Sequence, residues 1–357
     1  MNKYSINYGL NKITDKRNGL DRTFAQSPNG LFLTNSCDRN RHLIQSEIKQ
    51  ALSNYGKSQV LLLDPYGEYV HFAKEIGGKV ISIGPSHDTY VNPFDLDISL
   101  DEYTPTKPYL SEKIDFVYSF VEELTGIQLS ISAKVLIDHT LRRMYVPYIT
   151  SLKKKCVSID RKICPTFSDF YQELEQIQDS EMQSYAAVLR TYYDGTMQDL
   201  FTHKTNMKTD SNFIVYDLSS VLPEQKTTLS LICLNHIFLQ TIANKKKNIY
   251  TWNYINHMEL LFGRPSTEQQ LYSLFKKSRM LAGIPTGILS TSDLIKSFES
   301  EYVRNIVCNM GVVFIQAQLG TSNAAIKRIF SLPENMQKYY DNVNSYEGII
   351  CMSDTVI

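Results

Sequence analysis

The first place where this chain could do chemistry is the turn that follows the apolar run Asn29-Gly30-Leu31-Phe32-Leu33. A buried strand, a turn and then a helix is the setting of a phosphate loop, G-x-x-x-x-G-K-[ST]. Its glycines let backbone N–H groups close around phosphates, its lysine neutralises charge and its hydroxyl holds magnesium. Here the turn reads Thr34-Asn35-Ser36-Cys37-Asp38-Arg39-Asn40-Arg41, with no glycine and no lysine. Asp38 would repel phosphate, so these residues alone do not make a phosphate loop. Arg39 and Arg41, at a helix start, are candidates for holding an anion, because helix N-termini favour negative charge; the alternative is a solvated helix entrance. The 7 His include no H-x-x-x-H or H-E-x-x-H spacing, and the 6 Cys include no C-x-x-C pair, so no zinc or dithiol site is expected. Lys153-Lys154-Lys155, with Arg161 and Lys162, read as a basic loop, either solvated or touching DNA or an acidic partner. The aromatic residues are scattered at core periodicity and form no base-stacking platform.

The elements that would position such a site alternate. Asn29–Leu33 reads as a strand, then a helix presents Leu43, Ile44, Ile48, Ala51 and Leu52 on one side, with Gly56 as its stop. Val60–Leu63 is a second apolar run ending at Asp64-Pro65, Glu68–Ile76 a short helix, and Val80–Ile83 a third strand. Runs apolar on both faces between helices predict a parallel sheet covered by helices. From about 99 to 210 the spacing is helical and no comparable strand interrupts it. Alternation resumes at Phe213–Asp217, with further strands at Ile249–Ile255, Pro285–Leu289, Val312–Ile315 and Gly348–Cys351. Helices are expected between them, over Thr227–Ala243, Glu268–Leu281 and Ser322–Phe330. The expected organisation is a core in two parts, 1–98 and 211–357, split by a helical insertion over 99–210.

Composition narrows the functional classes. With 43% hydrophobic and 21% charged residues the chain can bury a sizeable core. Lys plus Arg and Asp plus Glu are both 37, which disfavours a whole-protein electrostatic grip on nucleic acid or anionic membrane while leaving local patches open. Met1–Asn7 has no apolar signal core, and no run is long enough to span a bilayer; Leu229–Ala243 is broken by Asn235, His236 and Gln240 and reads as a buried helix. The scattered thiols suit a reducing compartment, and a cytoplasmic location is expected.

Several separate motifs, in order, resemble one family. They are Asn29-Gly30-Leu31, Asp64-Pro65-Tyr66-Gly67-Glu68-Tyr69, Val91-Asn92-Pro93-Phe94-Asp95-Leu96 and Pro165-Thr166-Phe167-Ser168-Asp169-Phe170. Leu200–Asn206, Val215-Tyr216-Asp217-Leu218, Lys276-Lys277-Ser278-Arg279, Gly283-Ile284-Pro285-Thr286-Gly287, Asn309 and the region of Gln316 continue the series. Together they resemble the ATPase domain of the VirB-four family of conjugative transfer and type IV secretion, within the HerA–FtsK superfamily. The resemblance runs over about 25–352 and implies a RecA-like P-loop NTPase core with an inserted helical subdomain; the large N-terminal domain usual in the family is expected to be absent.

Carried over position by position, the resemblance implies loss of the site. The family's phosphate loop falls on Thr34–Arg41, its lysine on Asn40 and its hydroxyl residue on Arg41. The Walker B acidic pair, whose carboxylates hold the magnesium shell and orient the attacking water, falls on Asn256 and His257. The amide carries no charge, and His257 is expected to be a weak, half-protonated base. The sensor glutamine after the next strand is replaced within Leu289-Ser290-Thr291. Glu259 is a possible substitute carboxylate. Asp64 and Glu68 are retained, as site residues or as a helix N-terminal acid and a turn. Arg279 and Arg304 resemble arginines that reach across a ring interface, and are otherwise salt-bridge partners.

The resemblance therefore implies a pseudo-ATPase with no catalytic residue, no metal and no cofactor, acting as a structural or regulatory subunit. It would form a homo-oligomer, or a hetero-oligomer with an active VirB-four-like ATPase or other secretion-channel components, with DNA as a possible partner. Such a subunit would sit at the inner face of the cell membrane only through those partners. The alternatives are an ATPase with an unorthodox site using ATP and Mg, and a nucleic-acid-binding module derived from a translocase.

Overall fold

The computed structural model describes residues 5–11, 14–23, 25, 27–34, 41–85, 87–96, 106–155, 163–195, 197–316, 323–334, 348–352 and 355–356. The chain forms two compact units, one of Met1–Val80, Asp210–Tyr216 and Asn244–Ile357, the other of Ile81–Thr209 and Asp217–Ala243.

The first unit is built on the strands that the sequence marks as continuous apolar runs. In chain order these are β3 (Gly30–Thr34), β4 (Ser58–Asp64), β5 (Lys79–Ser82), β6 (Phe213–Asp217), β7 (Tyr250–Asn256), β8 (Gly283–Ser290), β9 (Val312–Gln316), β10 (Gly348–Met352) and β11 (Thr355–Val356). They form a nine-stranded sheet in the order β11-β10-β9-β3-β8-β7-β4-β6-β5. The pairings from β9 through β3, β8 and β7 to β4 are parallel, and β10 runs antiparallel to β9. Both faces of the central strands are covered, which is why Leu31, Phe32, Leu33, Val60, Leu61 and Leu62 are all fully buried. Phe32 stacks on Phe314 across β3 and β9 with ring centroids 4.2 Å apart. Helix α1 (Arg41–Asn54) lays Ile44, Ile48 and Ala51 into the core at helical spacing. Helix α2 (Val70–Glu75) starts two residues later than the apolar pattern suggests, because Gly67 takes a left-handed turn (φ 76°) after Asp64-Pro65.

Three elements of this unit had no strong pattern in the sequence. The hairpin of β1 (Ile6–Leu10) and β2 (Arg17–Leu20) pairs Ile6 with Leu20 and packs by tertiary contacts, the Tyr8 hydroxyl donating to Glu47 Oε1 at 2.6 Å. Helices α10 (Thr291–Ser297) and α11 (Glu301–Cys308) follow β8, each started by a serine cap, Ser290 and Ser300.

The second unit carries α3 (Thr106–Thr125), α4 (Ile131–Lys155), α5 (Phe167–Glu175), α6 (Ser180–Tyr193), α7 (Gln198–Phe201) and most of α8 (Pro223–Lys246). Phe94, Phe116, Phe120, Phe167, Phe170 and Phe201 are its buried aromatic core. The Val91–Leu96 motif is held there by the Tyr145 hydroxyl on the Phe94 carbonyl (2.6 Å) and by Lys113 Nζ on the Pro93 carbonyl (2.9 Å). Burial pushes the Lys113 ammonium down to about 7. The Thr166-x-x-Asp169 pair is a capping box that starts α5. Lys153-Lys154-Lys155 form the last turn of α4 rather than a loop, because the helical pattern continues past Tyr145 and through Pro147. Arg161 and Lys162 lie outside the described residues.

The first unit is tied together by a buried guanidinium. Arg22 donates to Glu47 Oε1 (2.7 Å), to Thr286 Oγ1 (2.9 Å), and to the carbonyls of Pro28 (2.7 Å) and Pro285 (3.0 Å). It also lies 5.4 Å from the Trp252 ring. Pro285 stands in a central strand, a position that normally penalises proline. Residue 286 already pairs with Gly30 at the start of β3, so residue 285 lies past that strand's end, and Arg22 takes its carbonyl. Gly30 makes room for the ion: a Cβ there would sit 2.5 Å from Arg22 Nη2.

Removing one partner of a buried ion pair strands the other. Glu47→Ala is therefore expected to lower unfolding stability by about 3–5 kcal/mol, and Gly30→Ala by about 1–3 kcal/mol, both read from denaturant midpoints. A Glu47→Ala midpoint equal to that of the unmodified chain would contradict the role of Arg22.

Candidate functional site

A parallel sheet presents ligands at the carboxyl ends of its strands. Along that edge the sheet order and register bring Thr34 (β3), Ser290 (β8), Asn256 (β7) and Asp64 (β4) into one row, Thr34 pairing with Ser290 and Leu63 with Ile255. Of the turn singled out in the sequence, Thr34 and Arg41 are described; Asn35, Ser36, Cys37, Asp38, Arg39 and Asn40 lie outside the described residues. Thr34 Oγ1 lies 3.5 Å from the Leu289 carbonyl, and Ser290 caps α10 through the Asp293 N–H.

Around Asn256 the side chains form one polar network. Asp64 is fully buried, and its Oδ2 accepts from the Tyr69 N–H at 2.7 Å, just ahead of α2. Burial raises its carboxyl above the usual range. Glu68 turns away from the helix. Its Oε1 accepts from Arg41 Nη2 at 2.8 Å, and its Oε2 accepts from Asn256 Nδ2 at 2.8 Å. The same Oε2 lies 3.3 Å from His257 Nε2. His257 Nδ1 lies 2.8 Å from Glu259 Oε1, so the imidazole bridges two carboxylates. Its backbone is left-handed (φ 52°), at the break between β7 and a 3-10 turn over Met258–Leu261. The Tyr66 ring meets the imidazole edge-on at 4.5 Å.

This geometry changes the expected charge of His257. Burial works against the charged ring, but the hydrogen bonds and fields of Glu259 and Glu68 outweigh it and raise the group from 6.5 to about 9. The imidazole is therefore a cation at neutral pH, not the half-protonated base that the residue type alone suggests. The hydrogen bond from His257, helped by Asn256 and Arg41 against burial, holds Glu68 at about 2. Three carboxylates thus share two cations, Arg41 and His257, and the amide of Asn256. Glu259 Oε2 is buried with no hydrogen-bond partner among the described residues.

Arg41 is turned onto Glu68 rather than left open as an anion holder. Arg304 is exposed and donates to the carbonyls of Phe298 (3.3 Å) and Glu299 (2.6 Å), closing the segment after α10; it meets no carboxylate among the described residues. Arg279 is exposed within the 3-10 turn Ser278–Leu281 before β8. Tyr66 and the pairing of Arg41 with Glu68 were missed by sequence reasoning. The partners are 27 residues apart, and no local spacing announces them.

The network sets a pH window. His257, raised from 6.5 to about 9, contributes stability that is complete below about 6.5 and lost as pH rises through about 9. Glu68, lowered from 4.5 to about 2, contributes stability that is complete above about 4.5 and lost as pH falls through about 2. Full strength therefore lies between about pH 4.5 and 6.5. His257→Asn, which tolerates the left-handed backbone, is expected to cost about 1–2 kcal/mol at pH 6 after screening of these partly exposed groups. That difference should shrink towards zero above pH 9. Denaturant titrations at several pH values check this, and a pH-independent difference would contradict the bridged imidazolium.

No family model matches the sequence, and no curated protein matches it. Solved structures do. VirB4 of Thermoanaerobacter pseudethanolicus superposes with a TM-score of 0.80 at 17% identity, covering 99% of this chain and 94% of that one. The bacterial conjugative coupling protein TrwB, in an unbound form, superposes at 0.57 with 12% identity, covering 97% and 86%. TrwB in complex with a non-hydrolysable GTP analogue gives 0.52 at 12% identity, covering 97% and 82%. The chain has the RecA-like P-loop NTPase fold of VirB4 and TrwB.

Proposed function

We propose that this chain is a degenerate VirB-four-like conjugation or type IV secretion ATPase-domain protein. It does not turn over ATP and serves as a structural or regulatory subunit of a DNA-transfer or secretion apparatus. One observation carries the reading: where phosphoryl transfer needs free carboxylates for a magnesium shell and a positioned water, Glu68 and Glu259 are engaged by His257, and Glu68 also by Arg41. Asn256 is an amide whose N–H bonds point at Glu68 and Asp64, so it spends its donors on carboxylates. The likeness to VirB4 over nearly the whole of both chains supports the assignment to that kind of apparatus.

As a subunit the chain would assemble with copies of itself, with an active relative or with other channel components. Arg279 and Arg304, both on the surface, would be its candidates for a contribution in trans. No helix among the described residues is long and apolar enough to cross a membrane. Cytoplasmic placement fits this reading.

The purified chain is expected to show no magnesium-dependent ATP hydrolysis above a buffer blank. Millimolar ATP with magnesium should leave its melting temperature unchanged, whereas a ligand at a hundredfold excess over its dissociation constant would add about 2.7 kcal/mol. Turnover abolished by Glu259→Gln would overturn the reading in favour of an unorthodox ATPase. A thermal shift lost on Arg39→Ala with Arg41→Ala would show instead that nucleotide still binds.

A further inference from the structure

We propose that the end of the sheet opposite the candidate site is a surface that binds the anionic headgroups of a lipid bilayer. Strands β8, β7 and β4 are adjacent and parallel, so their amino ends share one edge. The chain reaches that edge through residues 54–57, 244–250 and 276–282, which hold Lys57, Lys245, Lys246, Lys247, Lys276, Lys277 and Arg279 and no Asp or Glu. The three segments are joined through their backbones. Tyr250 N donates to the Lys57 carbonyl (3.1 Å), and Thr251 N to the Ala282 carbonyl (3.0 Å). At about 4.8 Å between strands, the three approaches fall within about 10 Å of one another. All seven cations are exposed except Lys277, which is half-buried.

This concentration is local, because the chain as a whole has 37 residues of each sign. Two acids that border the three approaches, Asp21 on Tyr55 and Asp210 two residues before the Asn212 carbonyl that takes Val60 N, already have partners. Asp210 pairs with Lys79 at 3.4 Å, and Asp21 accepts from Tyr55, Thr23 N and the Thr23 hydroxyl. Among the cations stands Met280, 72% exposed, with Tyr250 38% exposed.

The chemistry favours a bilayer over a polynucleotide. Six of the seven cations are lysines, compact point charges without the planar fork that grips phosphodiesters and bases in pairs. Tyr250 alone offers an aromatic face on this rim among the exposed large side chains, too little for a stacking track. A protruding methionine beside a lysine cluster suits the boundary between headgroups and acyl chains. A cluster of four to eight basic residues is enough to hold a protein at an anionic leaflet, each contributing about fivefold in partitioning.

Sedimentation with vesicles tests this. The full chain is expected to bind equimolar phosphatidylcholine–phosphatidylglycerol vesicles at low salt, to release at high salt, and to ignore pure phosphatidylcholine. Lys245→Gln with Lys246→Gln and Lys247→Gln should lose about a hundredfold in partitioning. So should Lys57→Gln with Lys276→Gln and Lys277→Gln, carried as a second set, while both keep the thermal unfolding of the parent. Lys49→Gln with Lys74→Gln, on exposed positions elsewhere in the unit, should bind like the parent. Equal binding to neutral and anionic vesicles, binding to neither, or unchanged binding in both triple variants overturns the proposal. Binding of a DNA or RNA oligonucleotide lost in the triple variants, without vesicle binding, overturns it in favour of nucleic acid.

Discussion

A guanidinium with no access to water organises the first unit. Arg22 can be buried only because its N–H groups are met by Glu47, Thr286 and two carbonyls, and these partners come from three separate stretches of chain. Glu47 sits in the middle of α1, so neutralising Arg22 fixes that helix against β8 and the entry to β3. Tyr8 adds the hairpin to the same carboxylate. Fixing α1 in turn fixes its first residue, Arg41, which closes on Glu68. The sheet edge thus receives a cation whose placement is set by an ion pair in the core. Loss of either buried partner would propagate to the edge, because desolvated charges cannot relax by solvation.

At that edge the chain supplies its own counterions. A nucleotide site needs local charge that is incomplete until ligand and metal arrive, with donors aimed at phosphate oxygens and acceptors aimed at the metal. Here Asn256 donates to carboxylates, His257 bridges two of them and Arg41 takes a third contact. Any incoming anion must compete with Glu68 for Arg41, and any incoming cation must compete with an imidazolium. Both competitions are intramolecular and need no concentration to be maintained.

The central strands were legible in the sequence because both their faces are buried, which leaves runs such as Val60–Leu63 without alternation. The β1–β2 hairpin was not, since Arg17-Asn18-Gly19-Leu20 carries no strand pattern and the hairpin is tied to α1 through Asn7 and Tyr8 of its other strand. The columns of the candidate site could be placed through a family resemblance, which located Asp64, Glu68, Asn256 and His257 but not their pairings. Those pairings join residues up to 192 positions apart, and the sense of the His257 shift depends on two carboxylates that only the fold delivers. The residue type predicted a weak base; its surroundings make it a cation.

The left-handed backbone at His257 limits which single changes this edge accepts. A glutamate placed there would meet Glu68 and Glu259 with Arg41 as the remaining counterion, and it would occupy a conformation that side chains other than Asn, Asp and His seldom adopt. An acid at Asn256 would face Glu68 and Asp64 in the same way. Each such substitution is unfavourable unless a compensating one accompanies it, so added carboxylates at this edge are tolerated only in concert with added cations. A constellation held by mutual neutralisation is in this sense a ratchet: its members can drift one at a time only in directions that keep the charges matched.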